Sequence, residues 1–193
     1  MKVVSVNVGL PRIVEYMGEP LATGIYKSPV EGRVRVGQFN LEGDAQADLR
    51  VHGGPQKSVY VYPSEHYEYW RGDLPPMLIR EGSLSGDDLT YGVFGENLTT
   101  EGILETDVRA GDRLRIGTAE FEVTVPRYPC YKLGIRFGRK DILRRFWQSG
   151  RSGFYLTVIQ TGELAAGDAI TFNPAGSGKS IHEVFGEKGR VKA

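Results

Sequence analysis

Apolar and polar residues alternate in short runs along most of the chain. Val4-Ser5-Val6-Asn7-Val8 alternates strictly and ends at Gly9 and Pro11, and Gly32-Arg33-Val34-Arg35-Val36 behaves alike. A period of two sends successive side chains to opposite faces, so each run predicts a half-buried strand. Lys57 to Tyr62 predicts another. Asp107 to Val125 predicts a β-hairpin in which Leu114 and Ile116 face Phe121, Val123 and Val125 across a Gly117-Thr118 turn. Strands are also expected at Phe154 to Gln160 and Ala169 to Phe172. The helical period is clear in two places only. Ser64 is a candidate N-cap for a short helix with Tyr67 and Trp70 on one side, and Asp141 to Gln148 aligns Ile142, Leu143, Phe146 and Trp147 in one stripe that Gly150 would end. Short strands punctuated by turns predict an all-β barrel or sandwich rather than βαβ units.

Turn chemistry refines this picture. The 26 glycines and 10 prolines recur every few residues, and Gly72 to Asp88 reads as an exposed excursion. Arg109-Ala110-Gly111-Asp112-Arg113-Leu114 is echoed by Ala165-Ala166-Gly167-Asp168-Ala169-Ile170, so each Gly-Asp is expected to turn the chain into a strand. Gly176-Ser177-Gly178-Lys179-Ser180 looks like the end of a phosphate-binding loop, but the motif needs glycine where Asn173 stands. Ser180 and Glu183 instead form a candidate capping box for about one helical turn, stopped at Gly186, in an otherwise flexible tail.

Charge narrows the functional classes. Lys+Arg and Asp+Glu both number 24, which argues against a nucleic-acid polymer or an anionic membrane surface as partner. With 193 residues the chain is one domain with a short appendage, and 40% hydrophobic residues suffice for a core. One cysteine excludes an internal disulfide and a multi-thiolate metal site. No signal peptide or apolar span of membrane length is seen, so the chain reads as cytoplasmic.

That cysteine is the strongest chemical signal. Pro126-Arg127-Tyr128-Pro129-Cys130-Tyr131-Lys132-Leu133 brackets it with prolines, which hold Val125 and Tyr128 extended and place the thiol on a stiff loop leaving a strand. Arg127 and Lys132 favour its thiolate, the form that attacks electrophiles and binds soft metals. A lone cysteine is often only a small buried hydrophobe; the cations set this one apart. His52-Gly53-Gly54 lets backbone N–H groups approach an anion, with Arg50 and Lys57 beside it, while Glu96-Asn97 and Arg151-Ser152-Gly153 add polar groups in other loops. Cys130 with His52 could also act as a nucleophilic pair. A zinc site from His52, His66 and Cys130 lacks any paired spacing, and His66 reads as structural or surface.

Four stretches in order carry a family resemblance: Asp48 to Pro55, Gly92-Val93-Phe94-Gly95-Glu96-Asn97-Leu98-Thr99, Pro126 to Leu133, and Gly150-Arg151-Ser152-Gly153-Phe154-Tyr155. Together they resemble the MOSC domain family, the C-terminal domain of molybdenum cofactor sulfurase, and in particular its stand-alone YiiM-like branch. The resemblance covers residues 1–173, with 174–193 left as the tail. It implies a mostly β, β-barrel-rich fold with a few short helices that binds the molybdenum cofactor (molybdopterin). It implies Cys130 as metal ligand, His52 as a catalytic partner, and Lys57, Gly53, Gly54, Asn97, Arg127 and Arg151 as cofactor-binding residues. The branch is associated with reducing N-hydroxylated compounds such as hydroxylaminopurine, using an electron-donor reductase; a homodimer stays open. Longer relatives continue into a three-helix domain whose start Ser180 to Phe185 resembles, and if that domain docks the donor, this chain receives electrons differently or not at all. The alternative is a carrier that passes on sulfur, as a Cys130 persulfide, or the cofactor itself.

Overall fold

The structure, a computed structural model, describes residues 1–47, 53–74 and 84–190. In chain order its elements are β1 (Lys2–Val8), β2 (Arg12–Tyr16), β3 (Glu19–Thr23), β4 (Ser28–Val30), β5 (Val34–Val36), β6 (Val59–Pro63), α1 (Glu65–Asp73) and β7 (Leu98–Glu101). Then come β8 (Arg113–Ile116), β9 (Ala119–Pro126), α2 (Tyr131–Phe137), α3 (Asp141–Ser149), β10 (Phe154–Gln160), β11 (Gly162–Leu164), β12 (Ile170–Asn173) and α4 (Ile181–Arg190). The fold is mostly β, as the alternation predicts. Eight strands form one sheet in the order β12-β8-β9-β10-β6-β7-β1-β4, antiparallel except for β6 beside β7. β5 pairs with β11, and β2 with β3, as separate two-stranded sheets.

Among the described residues the sheet does not close into the expected barrel. The start of β1 reaches the turn before β12, where Val3 N–H donates to Asp168 O and Gly167 N–H to Val3 O, but only the single bridge Lys2↔Ala169 forms. Farther along, Val6 to Val8 pair with β4 instead. One strand thus divides its hydrogen bonds between a turn and a strand, leaving too few to continue the ladder.

The expected hairpin is present, with Leu114 opposite Phe121 and Ile116 opposite Ala119. The echoed turns also match: Asp112 accepts from Arg109 N–H and Asp168 from Ala165 N–H, each through its carboxylate. β6 departs from the half-buried expectation, since all five of its residues are buried. Val59 and Val61 face one apolar cluster with Val6, Leu98 and Phe121, whereas Tyr60 and Tyr62 face a second with Trp70, Phe94, Phe137 and Phe146. The helices cover this second face, so the hydroxyls must find internal partners. Tyr60 donates to Ser152 O at 2.8 Å, and Tyr62 accepts from Trp70 Nε1 at 2.6 Å.

Two helical segments correct the sequence reading. α2 was not expected, because Leu133 and Phe137 are its only buried apolar pair, too short a stripe to signal a helix; Gly138, at φ 65°, ends it. The tail is not one turn halted at Gly186. The capping box forms, with Ser180 N–H donating to Glu183 and Glu183 N–H to Ser180 Oγ, but the helix continues to Arg190. Ile181 and Phe185, one turn apart, are each 1% exposed. Burying such a pair stabilises by several times the ~1 kcal/mol that a mid-helix glycine costs. The phosphate-loop look-alike is also occupied from within: Asp112 Oδ1 accepts from the N–H groups of Ala175 and Gly176.

Candidate functional site

β9 ends at Pro126, and a short loop, whose Tyr128 packs against the second cluster, leads to α2. Arg127 N–H donates to Gly153 O at 3.3 Å, which fixes the start of this loop against the segment leading into β10. Only glycine fits at 153, where φ is 63° and a Cβ would lie 2.3 Å from Val61 O. Cys130 is extended (φ −129°, ψ 170°), stands immediately before α2, and is half-buried. Its place on a stiff loop leaving a strand follows the sequence reading, although the loop runs straight into a helix.

The cysteine lines a cavity of about 120 Å³. Lys57, Asn97 and Arg127, three of the residues implied as cofactor-binding, line the same cavity. So do Lys27, Lys132, Asp44, Tyr60 and Tyr155. Four cations therefore face one carboxylate among the described lining residues.

Asp44 and Lys27 form an ion pair with side chains 3% and 8% exposed. Asp44 also accepts from Gly9 N–H and from Asn97 Nδ2 at 2.9 Å, so this carboxylate is consumed by its own wall. Burial lowers the Lys27 pKa, opposed by Asp44. Asn97 is likewise engaged, with Oδ1 accepting from Tyr60 N–H at 3.0 Å. Its neighbour Glu96 turns the other way and accepts from Gly92 N–H, Phe94 N–H, Tyr67 and Thr99. Glu96 thus shapes the turn that presents Asn97. Burial raises its pKa.

Arg127 is different. It is 5% exposed, its guanidinium lies 4.9 Å from the Phe146 ring centre and 5.5 Å from that of Tyr60, and it hydrogen-bonds to Tyr155. Its Nη1 is buried with no hydrogen-bond partner among the described residues. Burial works against its charge, but Tyr60, Tyr155 and the Cys130 thiol oppose that and raise its pKa; no carboxylate is among the groups acting most strongly on it. A buried guanidinium nitrogen without a hydrogen-bond partner costs about 1–3 kcal/mol or more. Here it points to an anion as the missing partner.

Of the remaining implied residues, those described do not line this cavity. His52, with Asp48 to Val51, falls outside the described residues. Gly54 N–H donates to Gln46 Oε1 at 2.8 Å, and Gln46 Nε2 donates to Lys57 O. Gly54 thus braces the lining residue Gln46, and neither Gly53 nor Gly54 lines the cavity. Arg151 is not brought to the cysteine. It lines a second hollow of about 290 Å³ with His66, Glu105 and His182, its guanidinium 3.7 Å from the Tyr69 ring centre. There His66 Nε2 lies 2.9 Å from both Glu105 oxygens, and Gly153 N–H also donates to Glu105. His66 is thus structural, buried rather than on the surface. His66 and Cys130 line different hollows, and no group of three metal-ligating side chains occurs among the described residues.

Sequence reasoning missed Lys27, Asp44, Tyr60 and Tyr155 as cavity residues. Tyr60 and Tyr155 read as ordinary strand positions, and only the pairing of β10 with β6 sets them opposite each other. Nothing near Lys27 and Asp44 in the chain marks them.

A family model described as the MOSC domain matches residues 48–171. The uncharacterized protein YflK of Bacillus subtilis (strain 168) is 41% identical over 165 residues, covering 86% of this chain and 70% of that one. A protein of Gibberella moniliformis (strain M3125 / FGSC 7600) named Reductase is 33% identical over 156 residues, 80% of this chain but only 26% of its own length. The crystal structure of YiiM from Geobacillus stearothermophilus is similar throughout, with a TM-score of 0.76, 32% identity, and coverage of 99% of this chain and 85% of that one.

Proposed function

The chain belongs to the MOSC domain family, and on that premise we propose that it is a molybdenum-cofactor-dependent reductase of N-hydroxylated compounds, hydroxylaminopurine-like bases or amines. The observation that carries the reading is the buried Arg127, with its unpartnered Nη1, beside the lone cysteine. Redox chemistry is further supported by the relative named Reductase.

The residues present fit the cofactor. A thiolate at Cys130 is a soft donor suited to molybdenum. Arg127, Lys57 and Lys132 would supply charge-assisted hydrogen bonds for a phosphate on the pterin, while Lys27 is paired with Asp44 in the wall. Bound there, the cofactor supplies two-electron redox chemistry at a metal centre.

The protein's own part is orientation, exclusion of water and proton supply. Tyr60 and Tyr155 close one wall, and burial raises the pKa of both, so they stay neutral hydrogen-bonding groups. His52 is the proposed proton source, because histidine titrates nearest neutral pH. The N–O bond of the substrate breaks, two electrons arrive from a partner reductase, two protons are taken up, and the amine and water leave.

Protein loaded with cofactor and supplied with an artificial electron donor should convert an N-hydroxylated purine to its amine, consuming two electrons per turnover. His52→Gln should slow turnover with cofactor still bound if His52 donates the proton, and should weaken cofactor retention if it anchors phosphate. Loaded, reduced protein that leaves every such substrate untouched would overturn the reading. A persulfide mass on Cys130 without metal would favour the carrier instead.

A further inference from the structure

The helix at the end of the described chain reaches the cysteine loop. Phe185 of α4 stacks on Trp147 of α3, with ring centres 4.7 Å apart and an 18° interplanar angle, and on Tyr128 at 5.8 Å and 11°. Tyr128 also stacks on Trp147 at 5.8 Å, and Lys188 Nζ lies 4.0 Å from the Tyr128 ring centre. Tyr128 thus meets two aromatic rings and a cation, all from α3 and α4.

Tyr128 occupies a special place in the loop. It lines the cavity two residues before Cys130, between Pro126 and Pro129. Pro129 has no N–H to bond, and Tyr128 forms no hydrogen bond among the described residues. The backbone is anchored before it by Arg127 N–H on Gly153 O, and after it by Leu133 N–H on Cys130 O. Between those anchors the Tyr128 side chain is held by ring packing on α3 and α4. With proline fixing φ at 129, one torsion fewer is free to absorb a displacement between Tyr128 and Cys130.

We propose that α4 is a positioning element for Cys130: Phe185 and Lys188 hold Tyr128, and through it the approach to the thiol. Anything that engages or displaces α4 would then change the exposure of the sulfur. The inference rests on Cys130 as the reactive atom of the cavity. It holds whether that atom serves a metal or a persulfide, so it is tested on metal-free protein, where the reductase reading plays no part.

The measurement is the rate of Cys130 alkylation by iodoacetamide, followed by intact mass on the full chain, with a melting temperature for every variant. Phe185→Leu keeps an apolar side chain but removes both stacks, and should raise the rate about threefold to tenfold, the population change expected from losing aromatic pairs. Phe185→Tyr should restore the wild-type rate. Lys188→Met, on an exposed helix face, should raise it by about twofold. Leu114→Ala, in the other apolar cluster, should lower the melting temperature without changing the rate in the folded range. A rate unmoved by both Phe185→Leu and Lys188→Met would overturn the proposal. So would an equal rise in Leu114→Ala.

Discussion

The hollow at His66 and the cavity at Cys130 both bury charge, and they treat it in opposite ways. Around His66 each charge has a partner: Glu105 takes the imidazole and the Gly153 N–H, while Arg151 lies over Tyr69 and donates to Ser149 O. Those contacts join α1, the segment before β10 and, through His182 N–H on Glu105 O, the start of α4. Around Cys130, Arg127 is as deeply buried yet keeps a nitrogen without a partner among the described residues. Matched buried charge fixes elements to one another; a buried cation with an open donor beside a thiol suits an anionic ligand.

The largest effect should come from the matched side. Glu105→Ala strands His66 and the Gly153 N–H, and should cost about 3–5 kcal/mol in denaturant unfolding, as breaking a buried pair does. Arg127→Met should do the reverse. Without a buried cation to desolvate, the metal-free protein should be as stable as wild type or more so, by up to about 3 kcal/mol. Its affinity for phosphate or sulfate should fall at least about tenfold, the loss of one charge-assisted hydrogen bond. If Arg127→Met destabilises as Glu105→Ala does, the contrast between the two hollows is lost.

A smaller effect concerns pH. Burial pushes the Glu105 carboxyl upward, but the hydrogen bond and charge of His66, with the Gly153 N–H, outweigh it and hold the pKa below its ordinary value. A folded pKa below the unfolded one gives a stabilisation that is complete above the unfolded value of about 4.3 and is lost as pH falls through the folded value. Unfolding free energy followed from pH 6 downward should therefore decline in acid, and Glu105→Gln should flatten that decline. An identical slope in the variant would remove Glu105 from the account.

How much of this was legible depended on range. Local chemistry was readable: the Gly117-Thr118 hairpin, the two Gly-Asp turns, the stripe of α3 and the Pro-bracketed cysteine are all decided within a few residues. The tail was misread because Gly186 is a local stop signal, and what overrides it, Phe185 packing on Trp147 and Tyr128, is tertiary. Barrel closure was not legible, because alternation reports strands but not whether the last ladder closes. At the site, the motif around Cys130 and Arg127 was visible, whereas Lys27, Asp44 and Tyr155 reach the cavity through long-range pairing alone. Arg151 shows the converse. It sits in a motif of the family resemblance, yet it faces the other hollow.

The central claim is that the Cys130 cavity holds a molybdenum cofactor, and the most direct test is molybdenum and pterin content in freshly isolated native-source protein, wild type beside Cys130→Ser. The account predicts stoichiometric molybdenum in wild type, and none in a serine variant that melts where wild type melts once both are stripped of metal. It is contradicted if the serine variant keeps its metal, or if wild type carries a Cys130 persulfide and no molybdenum at all.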